Sequence, residues 1–135
     1  MLFLQDTTGS QGAYIDAVRL AILEIVQFVK ASGAIEPDGF RVGHTAFRDY
    51  KEGPDSYLLH PLGFTTELDA VQRHLNSLTA DGGGDAIEAS EAALHEARER
   101  PWAKDAVKVA ILITDAPPHG IGEKRDDFPN GSPKG

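Results

Sequence analysis

The amino-acid sequence predicts an α/β protein, a three-layer sandwich in which helices cover both faces of a mostly parallel sheet. Three observations predict this fold. Residues 2–5 form a short, largely apolar run that ends at Asp6, a pattern typical of a buried parallel strand. A helical periodicity follows directly, and a later apolar run, 107–114, ends at a second acid, Asp115. Strands that alternate with helices favour parallel pairing.

The first half of the chain predicts one helix and a strand hairpin after the opening strand. Residues 13–31 carry apolar side chains at helical spacing, and Ser32-Gly33 marks the end of that helix. Residues 40–47 and 57–60 predict two strands. Because only about nine residues join them, these strands are expected to pair antiparallel, with the third strand at the edge of the sheet.

The second half predicts two helices in succession and then the final strand. Apolar positions place the helices over 66–78 and 86–99, with Thr66 and Asp69 as a candidate capping pair. In the second helix, Ile87, Ser90, Leu94 and Ala97 are predicted to face inward. Residues 1–120 are therefore expected to form one domain. Residues 121–135 are rich in Pro, Gly and charge and predict a loop or a disordered tail.

Chain direction predicts that distant acids meet at one edge of the sheet. If each element crosses the domain once, four loops reach the edge where the first strand ends: those carrying Asp6, Asp49, Asp85 and Asp115. Right-handed crossovers place the first strand between the second and the last. Open α/β sheets bind ligands at this carboxyl edge.

Composition excludes several classes of protein. The chain has 135 residues, 41% of them hydrophobic, which suits one globular domain. A formal charge of -8 without a basic run argues against nucleic-acid partners and anionic membrane surfaces. No apolar segment reaches the length of a membrane span, and no signal peptide is evident, so a cytoplasmic location is expected. The oligomeric state is left open.

The chain has no cysteine, so a metal would be held by oxygen or histidine. Asp6, Thr8 and Ser10 fall at alternate positions, and a turn at Gly9 would direct three side-chain oxygens at one point, which suits a hard cation. The histidines His44, His60, His74 and His95 share no short spacing, which argues against a histidine zinc site. As an alternative, Thr8 and Ser10 are ordinary turn hydroxyls that cap the first helix.

Five motifs in order resemble one protein family. They are Asp6-Thr7-Thr8-Gly9-Ser10, Tyr14-Ile15, Arg48-Asp49, Gly82-Gly83-Gly84-Asp85 and Thr114-Asp115-Ala116-Pro117-Pro118-His119-Gly120. Together they are similar to the von Willebrand factor A-type domain with a metal-ion-dependent adhesion site. The resemblance is to the intracellular branch that accompanies alpha-kinase domains. Complete domains of this family continue with further strands and helices, so this chain is expected to be truncated at its C-terminus.

The resemblance implies a metal site and a binding function. It implies that Thr8 and Ser10 bind Mg²⁺, or Mn²⁺ or Ca²⁺, directly, and that Asp6 and Asp115 do so mainly through water. Asp85 occupies a position that is often Thr in relatives, and a third anion would neutralise the ion and weaken its attraction for an acidic partner. As an alternative, Asp85 only caps the following helix.

The expected function is divalent-cation-dependent binding of a protein partner through an acidic side chain, without catalysis. Arg48, Asp49, Tyr50 and His119 are candidates for the rim that contacts the partner. Arg48 and Asp49 also fit a structural ion pair, and a loop histidine is often simply solvated. The last strand, 107–114, would expose an apolar edge if no further strand covers it, so the chain is expected to be marginally stable or to need a covering partner.

An enzymatic alternative is a magnesium-dependent phosphohydrolase of the haloacid-dehalogenase type, with Asp6 as the phosphorylated nucleophile. Such enzymes need a second Asp two residues later, where this chain has Thr8. They also need a cation for the phosphate, and only Arg48 is suitably placed. The sequence contains no phosphate-binding loop and no nucleophile elbow.

Overall fold

The computed structural model describes residues 1–50, 53–84, 87–128 and 130–133. At its centre is strand β1, Leu2–Asp6, in which every residue is buried. β1 lies between two parallel neighbours, β2 (Val42–Phe47) and β4 (Ala110–Ile113), and β3 (Leu59–Thr65) pairs antiparallel with β2. The strand order is β3-β2-β1-β4, as the crossover argument predicts.

Helices cover both faces of this sheet. α1 (Ile15–Ala31) and α2 (Leu68–Ser77) pack on one face, and α3 (Ser90–Glu99) packs on the other. Because side chains alternate along a strand, Phe3 of β1 joins the core under α1 and α2, whereas its neighbours Leu2 and Leu4 join the core under α3. The predicted three-layer α/β class, with a mostly parallel sheet and one antiparallel edge strand, is confirmed.

The third helix differs from its prediction. α3 begins at Ser90 and not near residue 86, because Ala89 has a ψ of 47°, outside the helical range. The predicted inward position of Leu94 is wrong, since this side chain is 49% exposed. Ala93 is fully buried in its place, so the inner face of α3 follows the spacing of Ser90, Ala93 and Ala97.

The predicted capping pair of the second helix is also wrong. α2 begins at Leu68 with Glu67 as its N-cap residue, and no side chain caps this end. β3 extends to Thr65, well past its predicted end, so the strand and the helix are separated by two residues. In this tight connection the hydroxyl of Thr65 accepts a hydrogen bond from the backbone N–H of Glu67 at 3.0 Å.

β4 is an edge strand of the described sheet. It pairs with β1, and its other edge has no neighbouring strand among the described residues. Val107, just before β4, is 88% exposed, and Leu112 within it is 40% exposed. The expectation of an exposed apolar edge therefore agrees with the structure. None of the described helices is long and apolar enough to cross a membrane.

Candidate functional site

β1 delivers Asp6 to the carboxyl edge of the sheet, where the residue is fully buried. Its Oδ1 accepts hydrogen bonds from the backbone N–H of Thr8 at 2.9 Å and from the Thr8 hydroxyl at 2.7 Å. Its Oδ2 accepts one from the hydroxyl of Thr114 at 2.9 Å. Three donors on two oxygens hold this carboxylate in one orientation.

Two more side chains extend this group of oxygens toward the end of β4. The Thr8 hydroxyl lies 3.4 Å from the Ser10 hydroxyl, and Ser10 Oγ donates to Asp115 Oδ1 at 3.1 Å. Parallel pairing explains the meeting, because β1 and β4 end side by side with Gln5 opposite Ile113. We call Asp6, Thr8, Ser10, Thr114 and Asp115 the oxygen cluster.

A glycine-rich loop approaches the oxygen cluster closely. The backbone N–H of Gly9 donates to the carbonyl of Gly82 at 3.1 Å. Gly83 has a φ of +84°, and a Cβ at this position would lie 3.2 Å from Cβ of Thr8, so a side chain would be both strained and crowded. Asp85, the predicted fifth metal ligand, lies outside the described residues, and its role stays a prediction.

The oxygen cluster has the chemistry and the spacing of a site for a small hard cation. Six oxygens about 2.1 Å from Mg²⁺ lie about 3.0 Å from their neighbours. The hydroxyl oxygens of Thr8 and Ser10, the two expected direct ligands, lie 3.4 Å apart, close to that value. Within the described residues no group of three His, Asp or Glu side chains is placed to bind a metal, so the hydroxyls are an essential part of any such site.

Arg48, predicted at the rim, is buried at the end of β2. Its guanidinium donates to the hydroxyl of Ser56 at 2.6 Å and to the backbone carbonyls of Thr79 at 2.9 Å and Thr7 at 3.3 Å. It also lies over the ring of Tyr57, 4.3 Å from the centroid. Arg48 therefore links three segments beside the oxygen cluster through its hydrogen bonds.

His119 and Asp49, also predicted at the rim, are buried and bonded to each other. His119 Nε2 lies 2.7 Å from Asp49 Oδ1, and its Nδ1 lies 2.8 Å from Asp126 Oδ1. Burial lowers the pKa of His119, but the hydrogen bonds to the carboxylates of Asp126 and Asp49 outweigh it, so the net shift is upward. We call Asp49, His119 and Asp126 the His119 bridge.

Tyr50, the fourth predicted rim residue, is partly exposed and packs beside the His119 bridge. Its ring lies 5.5 Å from that of His119 and 5.4 Å from that of Phe128. Burial raises its pKa to about 12, so the phenol stays neutral. Its hydroxyl lies 3.2 Å from the hydroxyl of Ser132, which joins the tail to the domain. The assignment of these four residues to a partner-binding rim stays a prediction.

Comparisons with known proteins give a consistent result. No protein-family model matches the chain. It is 29% identical over 126 residues to an ariadne-like RING finger protein of Acanthamoeba polyphaga mimivirus, covering 91% of this chain and 11% of that protein. It is 26% identical over 137 residues to alpha-protein kinase vwkA of Dictyostelium discoideum, covering 100% of this chain and 21% of the kinase. The chain thus corresponds to a small part of each curated relative.

Solved structures decide the fold. The pilus adhesin SpaC of Lactobacillus rhamnosus GG has a TM-score of 0.68 at 19% identity, over 87% of this chain and 15% of that one. The vWF domain of the type V pili tip protein Mfa5 of Porphyromonas gingivalis has a TM-score of 0.60 at 18% identity, over 82% of this chain and 34% of that one. A structure of three N-terminal domains of the same tip protein gives 0.62 at 20% identity, over 82% and 18% of the two chains.

The chain therefore has the von Willebrand factor A fold. The family resemblance drawn from the sequence is confirmed at the level of the fold, and the match to the alpha-kinase agrees with the branch that it indicated. The metal-ion-dependent adhesion site stays a prediction. In this von Willebrand factor A fold, the oxygen cluster lies where β1 and β4 end.

Sequence reasoning missed three histidines that meet on the face covered by α2. His44 of β2 and His74 of α2 share a hydrogen bond at 3.1 Å, and the ring of His60 stacks on that of His74 at 5.0 Å. Burial, and then repulsion from His74, lower the pKa of His44 to about 3. Burial, and then repulsion from His60, lower that of His74 to about 4. The sequence held one indication of this cluster, since His44 lies within a strand whose other residues are buried.

Sequence reasoning also missed Asp126, the second partner of His119, and Thr114, the donor to Asp6 Oδ2. Asp126 lies in the segment predicted to be a loop or disordered tail, and Thr114 stands next to Asp115, which was the predicted site residue. A large groove of about 780 Å³ lies at the other end of the sheet, lined in part by Met1, Phe40, Phe64, Trp102 and Val109. This groove lies at the opposite end of β1 from Asp6.

Proposed function

We propose that this chain is a divalent-cation-dependent protein-binding module of the adhesion type. The cation, Mg²⁺ or else Mn²⁺ or Ca²⁺, would be held by Asp6, Thr8, Ser10, Asp85 and Asp115. The observation that carries this proposal is the contact between Ser10 and Asp115, which joins the ends of β1 and β4 in one group of oxygens. The structural neighbours, a pilus tip protein and a pilus adhesin, support an adhesion-type role.

The geometry supports the following role for each residue in this proposal. Thr8 and Ser10 present hydroxyl oxygens that can bind the ion directly. Asp6 is held in place by three hydrogen-bond donors and supplies negative charge next to Thr8. When bound, the cation would supply an electrophilic position for a carboxylate of the partner. Asp115 adds charge on the other side of Ser10, and a charged Asp85 would reduce the attraction for an acidic partner.

The charge and composition of the chain fit a protein partner in the cytoplasm and do not favour nucleic acid or a membrane surface. The net charge is -8, and no basic run is present in the sequence. The phosphohydrolase alternative lacks support from the site, since the guanidinium of Arg48 already donates to protein oxygens at Ser56 and Thr79.

Titration calorimetry with MgCl₂ tests the proposal. The wild type is expected to bind Mg²⁺, and Asp6→Ala is expected to abolish binding while the far-ultraviolet circular dichroism stays largely intact. Asp105→Ala, which removes an exposed carboxylate just ahead of β4, is the matched control and should bind like the wild type. Unchanged Mg²⁺ affinity in Asp6→Ala would refute the site.

A second measurement separates binding from catalysis. The wild type is incubated with a generic phosphate ester and Mg²⁺. Absence of turnover in a protein that binds Mg²⁺ supports the binding module. Turnover that is lost in Asp6→Asn would establish the phosphohydrolase instead.

A further inference from the structure

The His119 bridge demands a charged imidazole. Both ring nitrogens of His119 face a carboxylate, Asp49 at 2.7 Å and Asp126 at 2.8 Å. A neutral imidazole has one N–H and can donate to one of them, whereas the imidazolium has two and can donate to both. The His119 side chain has no exposed surface, and the side chains of Asp49 and Asp126 are 2% and 0% exposed. Water is therefore poorly placed to replace either bond.

The same bridge fixes the loop that follows β4. Asp49 follows β2, and Asp126 belongs to the tail, where its carboxylate also accepts the backbone N–H groups of Gly120 at 2.9 Å and Phe128 at 2.7 Å. The loop after β4 carries Asp115, a member of the oxygen cluster, near its start and His119 four residues later. The bridge therefore anchors this loop at His119.

The segment before α3 is tied to this loop as well. The backbone N–H of Glu88 donates to the carbonyl of Pro117 at 3.2 Å, and Glu88 forms an isolated parallel bridge with Pro118. Glu88 follows Asp85 by three residues in the sequence. The loop held by His119 thus carries Asp115 at its near end and is bonded to the segment that leads into α3.

We propose that His119 is a positioning residue for the cation site: as an imidazolium between Asp49 and Asp126, it holds the loop that carries Asp115 in the geometry that binds Mg²⁺. This inference deepens the proposed function and rests on it. His119 itself does not touch the oxygen cluster in any described contact, and both of its nitrogens are occupied by the bridge.

The surroundings of His119 make the cation site sensitive to pH in an unusual direction. Among the described residues, the titratable groups that act on His119 are Asp49 after β2, Asp126 in the tail and Glu91 of α3, all acidic, and the neutral Tyr50 beside its ring. The pKa of His119 is raised, so the bridge is complete below pH 6.5 and loses a bond as the pH rises through the folded-state value. Protons compete less with a metal for its oxygen ligands as the pH rises, so the ligands alone give no loss of Mg²⁺ affinity at higher pH.

Calorimetric titration with MgCl₂ alone, at about pH 6.5 and about pH 9, tests this inference. We expect the wild type to bind Mg²⁺ more weakly at the higher pH. His119→Gln should weaken binding about 10-fold at the lower pH, as other changes behind a metal ligand do, and should remove the pH dependence. Asp126→Asn keeps the bond to Asp49 and should give a smaller loss. His95→Gln, on the exposed side of α3, is the matched control and should behave like the wild type.

The outcomes separate the two proposals. If the wild type binds no Mg²⁺ at either pH, the proposed function fails and this inference falls with it. If the wild type binds Mg²⁺ with the same affinity at both pH values and folded His119→Gln or Asp126→Asn binds equally well, the positioning role is overturned and the proposed function stands. A purely structural role of His119 would lower the melting temperature of the variants without removing a pH dependence of Mg²⁺ affinity.

Discussion

Ser10 and Asp115 lie 105 residues apart in the sequence, yet the Ser10 hydroxyl donates to the Asp115 carboxylate at 3.1 Å. This exposed bond joins the turn after β1 to the end of β4. Its two partners are also oxygen donors of the kind that Mg²⁺ prefers. Cation binding at this edge would therefore exchange one polar contact for another and would require little movement of the backbone.

Ser10→Ala isolates the metal-binding role of the hydroxyl from folding. Because Ser10 is exposed, the variant should change the free energy of unfolding by no more than about 0.5 kcal/mol. Its Mg²⁺ affinity should fall at least about 10-fold, because one direct ligand is lost. Calorimetry and thermal melts measure the two effects. Ser77→Ala, which removes an exposed hydroxyl at the end of α2, should change neither, and equal Mg²⁺ affinity in Ser10→Ala would contradict the assignment.

Acid should destabilise the domain through His44. Its pKa is about 3 in the folded protein, against an ordinary value of 6.5, so the unfolded chain takes up its proton first as the pH falls. The contribution of this residue to stability is retained above pH 6.5 and falls as the pH drops from 6.5 toward 3, by roughly 1 kcal/mol per pH unit. Protonation of His74, with a pKa of about 4, acts in the same direction. Urea unfolding at several pH values measures this slope.

The His44→Gln variant tests the origin of the acid sensitivity. It should be less stable than the wild type at pH 7, because a packed ring that bonds to Gln5 at 3.0 Å is lost, but its stability should fall less steeply in acid. His95→Gln, exposed on α3, should keep the wild-type slope. An unchanged slope in His44→Gln would assign the acid sensitivity to His74 or to carboxylates instead.

Most of the fold could be predicted from local sequence patterns. The apolar runs, the helical periodicity of residues 13–31 and the short link between the second and third strands predicted the observed strand order and the antiparallel edge. Chain direction placed Asp6 and Asp115 at one edge, where the structure has them. Boundaries were less predictable, because tertiary contacts set them: the strand predicted to end at His60 continues to Thr65 through pairing with β2.

The burial of the site's charged side chains could not be predicted from the sequence. Arg48, Asp49 and His119 look like exposed loop residues, since charged side chains in connections are usually solvated. Their burial depends on partners far along the chain and outside their own motifs: Thr79 for Arg48, and Asp49 and His119 for each other. In the same way His44 and His74, 30 residues apart, become neighbours only because α2 packs over β2.

The open edge of β4 should promote self-association. Val107 is 88% exposed and precedes a four-residue apolar strand whose outer edge has no neighbouring strand in the described part of the sheet. Val107→Lys places a charge beside this edge and should reduce association, with little effect on unfolding. Leu20→Lys changes an apolar residue that is 61% exposed on α1, away from the edge. Sedimentation velocity over a concentration series compares the self-association of the two variants. An equal reduction in both would mean that exposed apolar surface in general, and not pairing at the edge of β4, drives association.

Arg48 should contribute more to stability than any exposed rim residue could. Its guanidinium is buried and donates to Ser56, Thr79 and Thr7, so Arg48→Met leaves these oxygens without a charged donor. At 1.5 to 3 kcal/mol for a hydrogen bond to a charged group, the loss should reach at least about 3 kcal/mol, measured by urea unfolding. Arg73→Met, an exposed change on α2, is the control. A loss below about 1 kcal/mol would instead favour a role for Arg48 in contacting a partner, since surface substitutions rarely cost more.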